Sequence, residues 1–194
     1  MANVTPDFMK LLAGAATIRG GGGLDLRLGE LLLDKRALAW AGEYLRSFLG
    51  AMQGGPTALI CPEPSPEAMA MIGSAMPRLN EAWVDLPDQV LSVRKLGFMR
   101  VEADDDPFTG PPLTERDSVL FVTTALRDGD VEAQAVTRLR ERIGVTILGG
   151  FAIVDMQEEG SHSRVQDAGM PMFYAVTTKK GVVDYKNRQA MLGG

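Results

Sequence analysis

The sequence predicts an α/β fold with a parallel sheet, and one stretch of about 35 residues carries most of that prediction. Residues 118–122 have the apolar pattern of a strand, and 123–130 are polar like a turn. Residues 131–143 have helical character, and 145–154 form a second apolar strand. Strand, helix and strand in this order are the βαβ unit of a parallel sheet. Ligands bind at the carboxyl ends of such strands, so the turn at 123–130 is the first candidate site.

Length and composition favour one sizeable globular domain. A chain of 194 residues suffices for one α/β domain and is short for two. Apolar residues make up 45% and charged residues 23%, which is ordinary for a globular protein.

Charge and cysteine content restrict the environment and the partners. The net charge of −5 and the lack of a basic run argue against nucleic-acid binding. The single cysteine, Cys61, excludes an intramolecular disulfide and suits a reducing compartment. The apolar stretch at 11–16 is too short for a signal peptide or a membrane span. We therefore expect a cytoplasmic protein, or one assembled into a particle made in the cytoplasm, without a membrane partner.

In the N-terminal third, the sequence predicts two helices with a flexible connector and a strand or hairpin between them. A helix is predicted at 6–16, where apolar residues recur at helical spacing. Four glycines at 20–23 predict a flexible connector rather than a phosphate loop, because no Gly-Lys-Ser/Thr follows them. Residues 24–33 predict a strand or hairpin, and 37–52 a helix that ends at a Gly-Gly-Pro turn.

The middle and the end of the chain supply further elements. The predicted elements are strands at 57–61, 82–85, 90–94 and 171–176, and helices at 67–76, 164–168 and 182–192. A long segment without periodicity, 96–114, contains three aspartates at 104–106. These favour a solvated loop face over a cation site, so no metal site is predicted.

Five local phrases, in this order and spacing, resemble those of orotate phosphoribosyltransferases, members of the type I phosphoribosyltransferases. For example, Val-Arg-Lys at 93–95 is similar to the family's x-R-K, and Ile-Val-Asp-Met-Gln-Glu-Glu-Gly at 153–160 is similar to V-D-R-x-E-G-G. The phrases lie at 24–36, 93–95, 109–120, 153–160 and 168–171. The resemblance implies a central parallel sheet flanked by helices with a small N-terminal hood. It also implies one domain over 1–194, with 1–36 as hood and 37–194 as core.

The resemblance implies a site for 5-phosphoribosyl pyrophosphate (PRPP), which these enzymes join to a nucleobase with release of pyrophosphate. The family's acidic pair, which binds the ribose hydroxyls, falls on Thr123 and Thr124. The loop around the 5′-phosphate falls on Arg127, Asp128, Gly129 and Asp130. Neutral hydroxyls still bond a ribose, but losing a charged partner costs on the order of 1.5 to 3 kcal/mol. The aspartates also place negative charge where a dianion belongs.

The pyrophosphate elements of the family are altered as well. Arg94 and Lys95 match the family's strand end, but the following loop lysine is replaced by Phe98, and only Arg100 keeps a charge. The glycine-rich pyrophosphate loop corresponds to 62–66, where prolines remove N–H donors. An alternative, shifted alignment makes Thr123, Thr124 and the next residue the phosphate loop, although no acidic pair precedes them.

These departures favour a non-catalytic protein that acts as a binding, regulatory or structural module. The alternatives are a divergent active phosphoribosyltransferase that uses Thr123, Thr124 and Arg127, and an assembly component such as part of a virus particle. No cofactor is predicted, except Mg²⁺ if PRPP binds. The predicted partners are a second copy in a homodimer and a phosphorylated small molecule or a protein. The candidate ligand-binding residues are Thr123, Thr124, Arg127, Asp128, Gly129, Asp130, Arg94, Lys95 and Arg100.

Overall fold

The computed structural model describes most of the chain. The described residues are 6–18, 24–62, 66–76, 80–86, 89–95, 113–156, 160–179 and 182–184. Residues 96–112, which include Arg100, lie outside them, and so do residues 63–65. In strands 80–86 and 89–95 only the backbone is described, except at Leu91.

The architecture is a seven-stranded sheet with helices on both faces. The strands are β3 (Ala58–Cys61), β4 (Asn80–Leu86), β5 (Gln89–Lys95), β6 (Ser118–Leu126), β7 (Thr146–Met156), β8 (Met172–Lys179) and β9 (Val182–Asp184), in the order β4-β5-β3-β6-β7-β8-β9. The central strands β3, β6, β7 and β8 are parallel, and the outer pairs are antiparallel. The predicted adjacent, parallel pairing of the three apolar strands is confirmed.

The helices divide between the two faces of the sheet. They are α1 (Pro6–Gly14), α2 (Leu28–Leu33), α3 (Lys35–Ala51), α4 (Pro66–Ala75), α5 (Asp130–Arg142) and α6 (Ser161–Asp167). A further two-stranded sheet, β1 (Ala16–Ile18) with β2 (Leu24–Leu26), adjoins α1 and α2. The division into a hood at 1–36 and a core stays a prediction.

Alternating side chains of the strands form a core on each face, as a pleated sheet requires. Leu120 and Val122 pack with residues of α1 to α4, whereas Val119 and Phe121 pack with α5 and α6. The first face also holds a chain of ring contacts. Its members, in order of contact, are Phe8, Trp40, Tyr44, Phe151, Phe48 and Phe173.

Two polar contacts fix the ends of these elements. Asp34 is the N-cap of α3 and accepts a hydrogen bond from the backbone N–H of Arg36 at 2.8 Å. The side-chain hydrogen bond from Arg36 also lowers the pKa of Asp34. At the amino edge of the sheet, buried Asp117 accepts from the hydroxyl of Thr57 at 2.9 Å and from the N–H of Thr114 at 2.8 Å. It thereby ties the start of β3 to the start of β6.

Three predicted elements differ from the structure. The predicted closing helix at 182–192 is wrong at its start, because residues 182–184 pair antiparallel with β8; residues 185–194 lie outside the described part. Residues 24–33 are a strand only to Leu26 and then become helix α2. The predicted turn at 123–130 starts four residues late, since β6 continues along β7 as far as Leu126. In the first and third cases strand pairing overrides local preference, whereas α2 forms because its leucines at 28, 31 and 32 are buried at helical spacing.

Within the described residues, no helix combines the length and the apolar character that crossing a membrane would require.

Candidate functional site

The carboxyl ends of the parallel strands bring separate parts of the chain to one edge. Leu126 at the end of β6 is level with Asp155 on β7, and Asp155 is level with Thr177 on β8. Helices α5 and α6 begin shortly after β6 and β7 end, at Asp130 and Ser161. This edge is where α/β sheets bind ligands.

A cleft of about 530 Å³ opens at the end of β6. The starts of α2, α4 and α5 form its walls, and the end of β6 forms its floor. The lining residues are Arg27, Leu28, Gly29, Glu67, Thr123, Thr124, Ala125, Arg127, Asp128, Val131 and Glu132.

The cleft collects four of the candidate residues proposed from the sequence. Thr123, Thr124, Arg127 and Asp128 line it, while Gly129 and Asp130 adjoin it in the same loop. Arg94 and Lys95 lie on β5 with their backbone paired to β3, and their side chains are outside the described part. Arg100 is also outside it.

The two threonines lie in the strand and not in a loop. Thr123 pairs with Ala152 on β7, and the hydroxyl of Thr123 donates to the carbonyl of Ala125 at 3.2 Å. Thr124 is buried. The shifted alignment predicts that these two residues form a phosphate loop. In the structure they belong to strand β6.

The loop before α5 uses one of its own amide donors. The Oδ1 atom of Asp128 accepts the backbone N–H of Asp130 at 3.0 Å. This N–H belongs to the first residue of α5, where a helix presents donors and positive dipole to an anion. Asp130 and Glu132 add negative charge in the first turn of the helix. The protein's own carboxylates thus occupy the positive end of α5.

Charges of both signs surround the cleft. Arg127 is exposed, and no ion pair to it is found among the described residues. Arg27 pairs with Glu30 at 2.8 Å. The carboxylate of Glu67 lies over Gly29, where an added Cβ would be only 2.5 Å from Oε1. The negatively charged carboxylate of Glu67 therefore lies between the starts of α4 and α2.

A second polar cluster lies beside the cleft, at the carboxyl end of β7. Asp155 is fully buried, and its Oδ1 accepts the hydroxyl of Ser161 at 3.1 Å. The Nδ1 atom of His162 is 3.4 Å from Oδ2 of Asp155, and the ring of Tyr174 stands edge-on to the imidazole. None of the site residues predicted from the sequence lies in this cluster. The available signal was an aspartate at the end of a buried strand, followed closely by the only histidine.

Helix α6 connects this cluster to the loop of the cleft. Arg164 donates from Nη1 to the carbonyl of Asp128 at 2.7 Å, and its Nε lies 3.3 Å from the carboxylate of Asp130. Gly129 has a φ of +79° and packs so closely on α6 that a Cβ would be 2.8 Å from the carbonyl oxygen of Ser161. These contacts of α6 therefore connect the loop after β6 to the helix that follows β7.

No metal centre is evident in the part of the chain that the structure describes, since no three His, Cys, Asp or Glu side chains come together there.

Burial raises the pKa of Tyr174, and the negative charge of Asp155 raises it further. Because the pKa of Tyr174 is higher in the folded state than in the unfolded state, the neutral phenol adds to the free energy of unfolding. This contribution is fully present below about pH 10, the unfolded pKa, and is lost as pH rises through the folded pKa. Titration of tyrosinate absorbance is expected to show a component above pH 10 that Tyr174→Phe removes and Asp155→Asn lowers. Tyr44→Phe is the control that leaves this component in place. A component unchanged by Asp155→Asn would contradict the prediction.

Comparison of the chain with known proteins gives partial sequence matches and full-length structural matches. No family model matches the chain. Among curated proteins, it is 38% identical over 60 residues to the adenine phosphoribosyltransferase of Paracidovorax citrulli, which is 31% of this chain and 32% of that protein. It is 40% identical over 57 residues to the corresponding protein of Cupriavidus necator, 29% of this chain and 30% of that one. The chain thus matches about a third of the length of these relatives.

Solved structures match over nearly the whole chain. A phosphoribosyltransferase from Corynebacterium diphtheriae superposes with a TM-score of 0.61 at 19% identity, covering 90% of this chain and 96% of the other. The orotate phosphoribosyltransferase of Mycobacterium tuberculosis H37Rv, in complex with inorganic phosphate, gives 0.59 at 18% identity and 92% coverage of both chains. The enzyme from Aeropyrum pernix gives 0.57 at 21% identity, covering 88% and 93%.

These likenesses define the fold of the protein as that of the type I phosphoribosyltransferases. The predicted α/β architecture and the resemblance found in the sequence are both confirmed.

Proposed function

We propose that this protein is a non-catalytic protein built on the phosphoribosyltransferase fold, whose cleft serves binding or regulation instead of phosphoribosyl transfer. A structural role in an assembly belongs to the same class, because it also needs the scaffold without PRPP chemistry. The proposal gains its support from the loop between β6 and α5.

The observation that carries the proposal is the hydrogen bond from the N–H of Asp130 to the carboxylate of Asp128. An incoming phosphate would need this donor and would meet two carboxylates at the start of α5. Displacing Asp128 leaves a negative charge beside the dianion, where each nearby like charge opposes binding. This amide donor of the loop is thus already used within the protein.

The other walls of the cleft support the same proposal. Three carboxylates line the cleft, those of Glu67, Asp128 and Glu132. Two guanidinium groups, those of Arg27 and Arg127, line it with them. The hydroxyl of Thr123 already has an acceptor. A ligand that is neutral, or that carries one charge, fits these walls better than PRPP, whose phosphates carry several negative charges.

A divergent active phosphoribosyltransferase is the second candidate function. It is favoured by the segments of 57 to 61 residues shared with adenine phosphoribosyltransferases. Arg127, which extends into the same cleft as Thr123 and Thr124, would then supply the charge that binds a phosphate. In this case Mg²⁺ would accompany PRPP as in other phosphoryl-ligand sites.

Calorimetric titration with PRPP and Mg²⁺ tests the choice. We expect no saturable heat of binding up to about 1 mM PRPP, the upper end of ordinary KM values. Binding that is lost in Arg127→Ala and retained in Arg116→Ala, an exposed arginine outside the cleft, would instead favour the divergent enzyme. Either result is interpretable because both substitutions remove one exposed arginine.

We also propose that the protein forms a homodimer in the cytoplasm, with a protein or a small molecule as further partner. In the family that it resembles, segments equivalent to 24–36, 67–76 and 90–100 lie near the dimer contact. Leu33 lies in the first of these and is 83% exposed, so a contact there would bury its apolar side chain.

Light scattering at roughly ten to fifty micromolar is expected to give a dimer, with an interface above about 1,000 Å². Leu33→Asp is expected to shift the mass toward the monomer, because a carboxylate would be desolvated in the contact. Arg116→Asp, exposed at the opposite edge of the sheet, is the matched control. A monomeric wild-type protein at these concentrations would contradict the proposal.

A further inference from the structure

The floor of the cleft holds a buried hydroxyl without a partner. Thr124 is 9% exposed and lines the cleft, and no hydrogen bond of its side chain is found among the described residues. It lies on the same face of β6 as Leu120 and Val122, which pack with residues of α1 to α4. An unpaired polar group this well buried is a hydrogen-bonding point that a ligand in the cleft can use.

Two carboxylates on the walls of the cleft also keep bonding capacity. The carboxylate of Glu67 lies against Gly29 in the first turn of α2, and neither an ion pair nor a hydrogen bond of this side chain is found in the described part of the chain. Asp128 accepts the N–H of Asp130 through Oδ1, which leaves Oδ2 for a further donor. The walls therefore offer acceptors to the donor groups of a ligand.

The walls of the cleft carry more negative than positive charge. Arg27, one of the two arginines that line the cleft, is paired with Glu30 at 2.8 Å. The other, Arg127, is exposed to solvent, whereas the carboxylate residue Glu132 is buried. The positive end of α5 is equivalent to about half a unit charge, which is less than the charge of one carboxylate. A positively charged ligand is therefore attracted to the cleft.

The arrangement of the acceptors suits an organic cation better than a metal ion. A metal ion needs its oxygen ligands within about 2.0 to 2.6 Å of one point. No three carboxylate, imidazole or thiol side chains converge in this way in the part of the chain that the structure describes. A guanidinium group instead carries five N–H donors in a planar fork, which reach separate acceptors. The cleft volume of about 530 Å³ is that of a small-molecule site.

We infer that the cleft binds a small organic cation of the guanidinium class, whose N–H donors bond to the carboxylates of Glu67 and Asp128 and to the hydroxyl of Thr124. Leu28 and Val131, which also line the cleft, provide apolar contact for an aliphatic chain on the cation. The inference rests on the proposed function, since it names the chemical class of a ligand that would occupy the cleft instead of PRPP.

Nuclear magnetic resonance titration of the full, ¹⁵N-labelled chain at constant ionic strength tests this inference. The probe is 1-butylguanidinium chloride, and its control is 1-butylurea, a neutral molecule of nearly the same shape. Backbone amides of residues 123–132 are expected to shift saturably with butylguanidinium, with a Kd of about 1 to 5 mM. Butylurea is expected to bind roughly tenfold more weakly, because its hydrogen bonds to carboxylates lack the cationic charge.

Three variants connect the binding to the named groups. Glu67→Gln keeps the shape of the side chain and removes its charge, and it is expected to raise the Kd of butylguanidinium about fivefold. Thr124→Val removes only the hydroxyl and is expected to raise the Kd roughly threefold. Glu115→Gln, at an exposed glutamate near the opposite edge of the sheet, is the matched control and is expected to leave the Kd unchanged. The amide spectrum of each variant also shows whether it is folded.

Several outcomes would overturn the inference. They are the absence of saturable shifts up to about 20 mM butylguanidinium, equal binding of butylurea, and equal effects of Glu67→Gln and Glu115→Gln. The same shifts produced by magnesium chloride alone would indicate a metal site and would overturn it as well. The proposed function is judged separately. A protein that binds neither butylguanidinium nor PRPP refutes only this inference, whereas saturable binding of PRPP in the calorimetric experiment refutes the proposed function.

Discussion

A pyrophosphate-release assay with PRPP, Mg²⁺ and several nucleobases, including orotate and adenine, is expected to show no turnover above the uncatalysed background. Enzymes accelerate their reactions by at least about 10⁶-fold, which requires about 8 kcal/mol of transition-state stabilisation. Such stabilisation comes from groups already aimed at the developing charge. The cleft is lined by the carboxylates of Glu67, Asp128 and Glu132, which repel the negatively charged phosphates of PRPP.

The expected loss of transition-state stabilisation is a sum of separate contributions. In the family that the chain resembles, the ribose, the 5′-phosphate and the pyrophosphate are each held by a separate element. In the alignment that the resemblance implies, threonines take the place of the acidic pair and prolines that of glycines at 62–66. In the structure, Asp128 takes up a loop amide for itself. Each lost charged hydrogen bond costs on the order of 1.5 to 3 kcal/mol, so three altered elements remove most of the required stabilisation.

The assay has a clear opposite outcome. Turnover that disappears in Arg127→Ala but survives in Arg116→Ala would show that the cleft is a working, divergent active site. A purified orotate phosphoribosyltransferase in the same assay confirms that the detection works.

Replacing Gly129 by alanine is expected to lower the free energy of unfolding by about 2 to 4 kcal/mol. Gly129 has a φ of +79°, which costs a residue with a Cβ about 1 to 2 kcal/mol. The added Cβ would also lie 2.8 Å from the carbonyl oxygen of Ser161 and 3.1 Å from Val165. Because both are firmly placed on α6, the loop and the helix must separate.

Gly54→Ala is the matched control for backbone strain. Gly54 has a φ of +69°, but nothing lies within 4 Å of an added Cβ. Its expected cost is only the strain, about 1 to 2 kcal/mol. Chemical denaturation of both variants measures the difference. Equal losses would show that the contact between the loop and α6 is not tight.

The strongly periodic middle of the chain was predictable because its preferences are local. Residues 118–122 and 145–154 are continuous apolar runs, and such strands are buried on both faces in a parallel sheet. The helix between them was predicted to within one residue, and it is α5 (Asp130–Arg142). The resemblance extended this to the whole fold, which the solved structures confirm.

Boundaries near the ends of elements were less predictable. Residues 182–184 pair antiparallel with 177–179, which lie just before them in the sequence, so β9 continues the sheet beside β8 where a helix was predicted. Thr123 and Thr124 are polar and resemble a turn, yet pairing with β7 keeps them in β6. Pairing between segments far apart in sequence supplies backbone hydrogen bonds that local propensity does not reveal.

The sequence by itself determined the order of the central strands and helices and the parallel centre of the sheet. That Thr123 and Thr124 stand in place of the family's acidic pair stays a prediction from the resemblance. The tertiary structure alone decided which side chains meet. Arg27, Glu67 and Asp128 are 40 to 101 residues apart in sequence and line one cleft at the edge where the parallel strands end. The contact of Asp155 with His162 likewise depends on how α6 folds back over β7, because burial and distance, which no local pattern encodes, set the strength of a charge interaction.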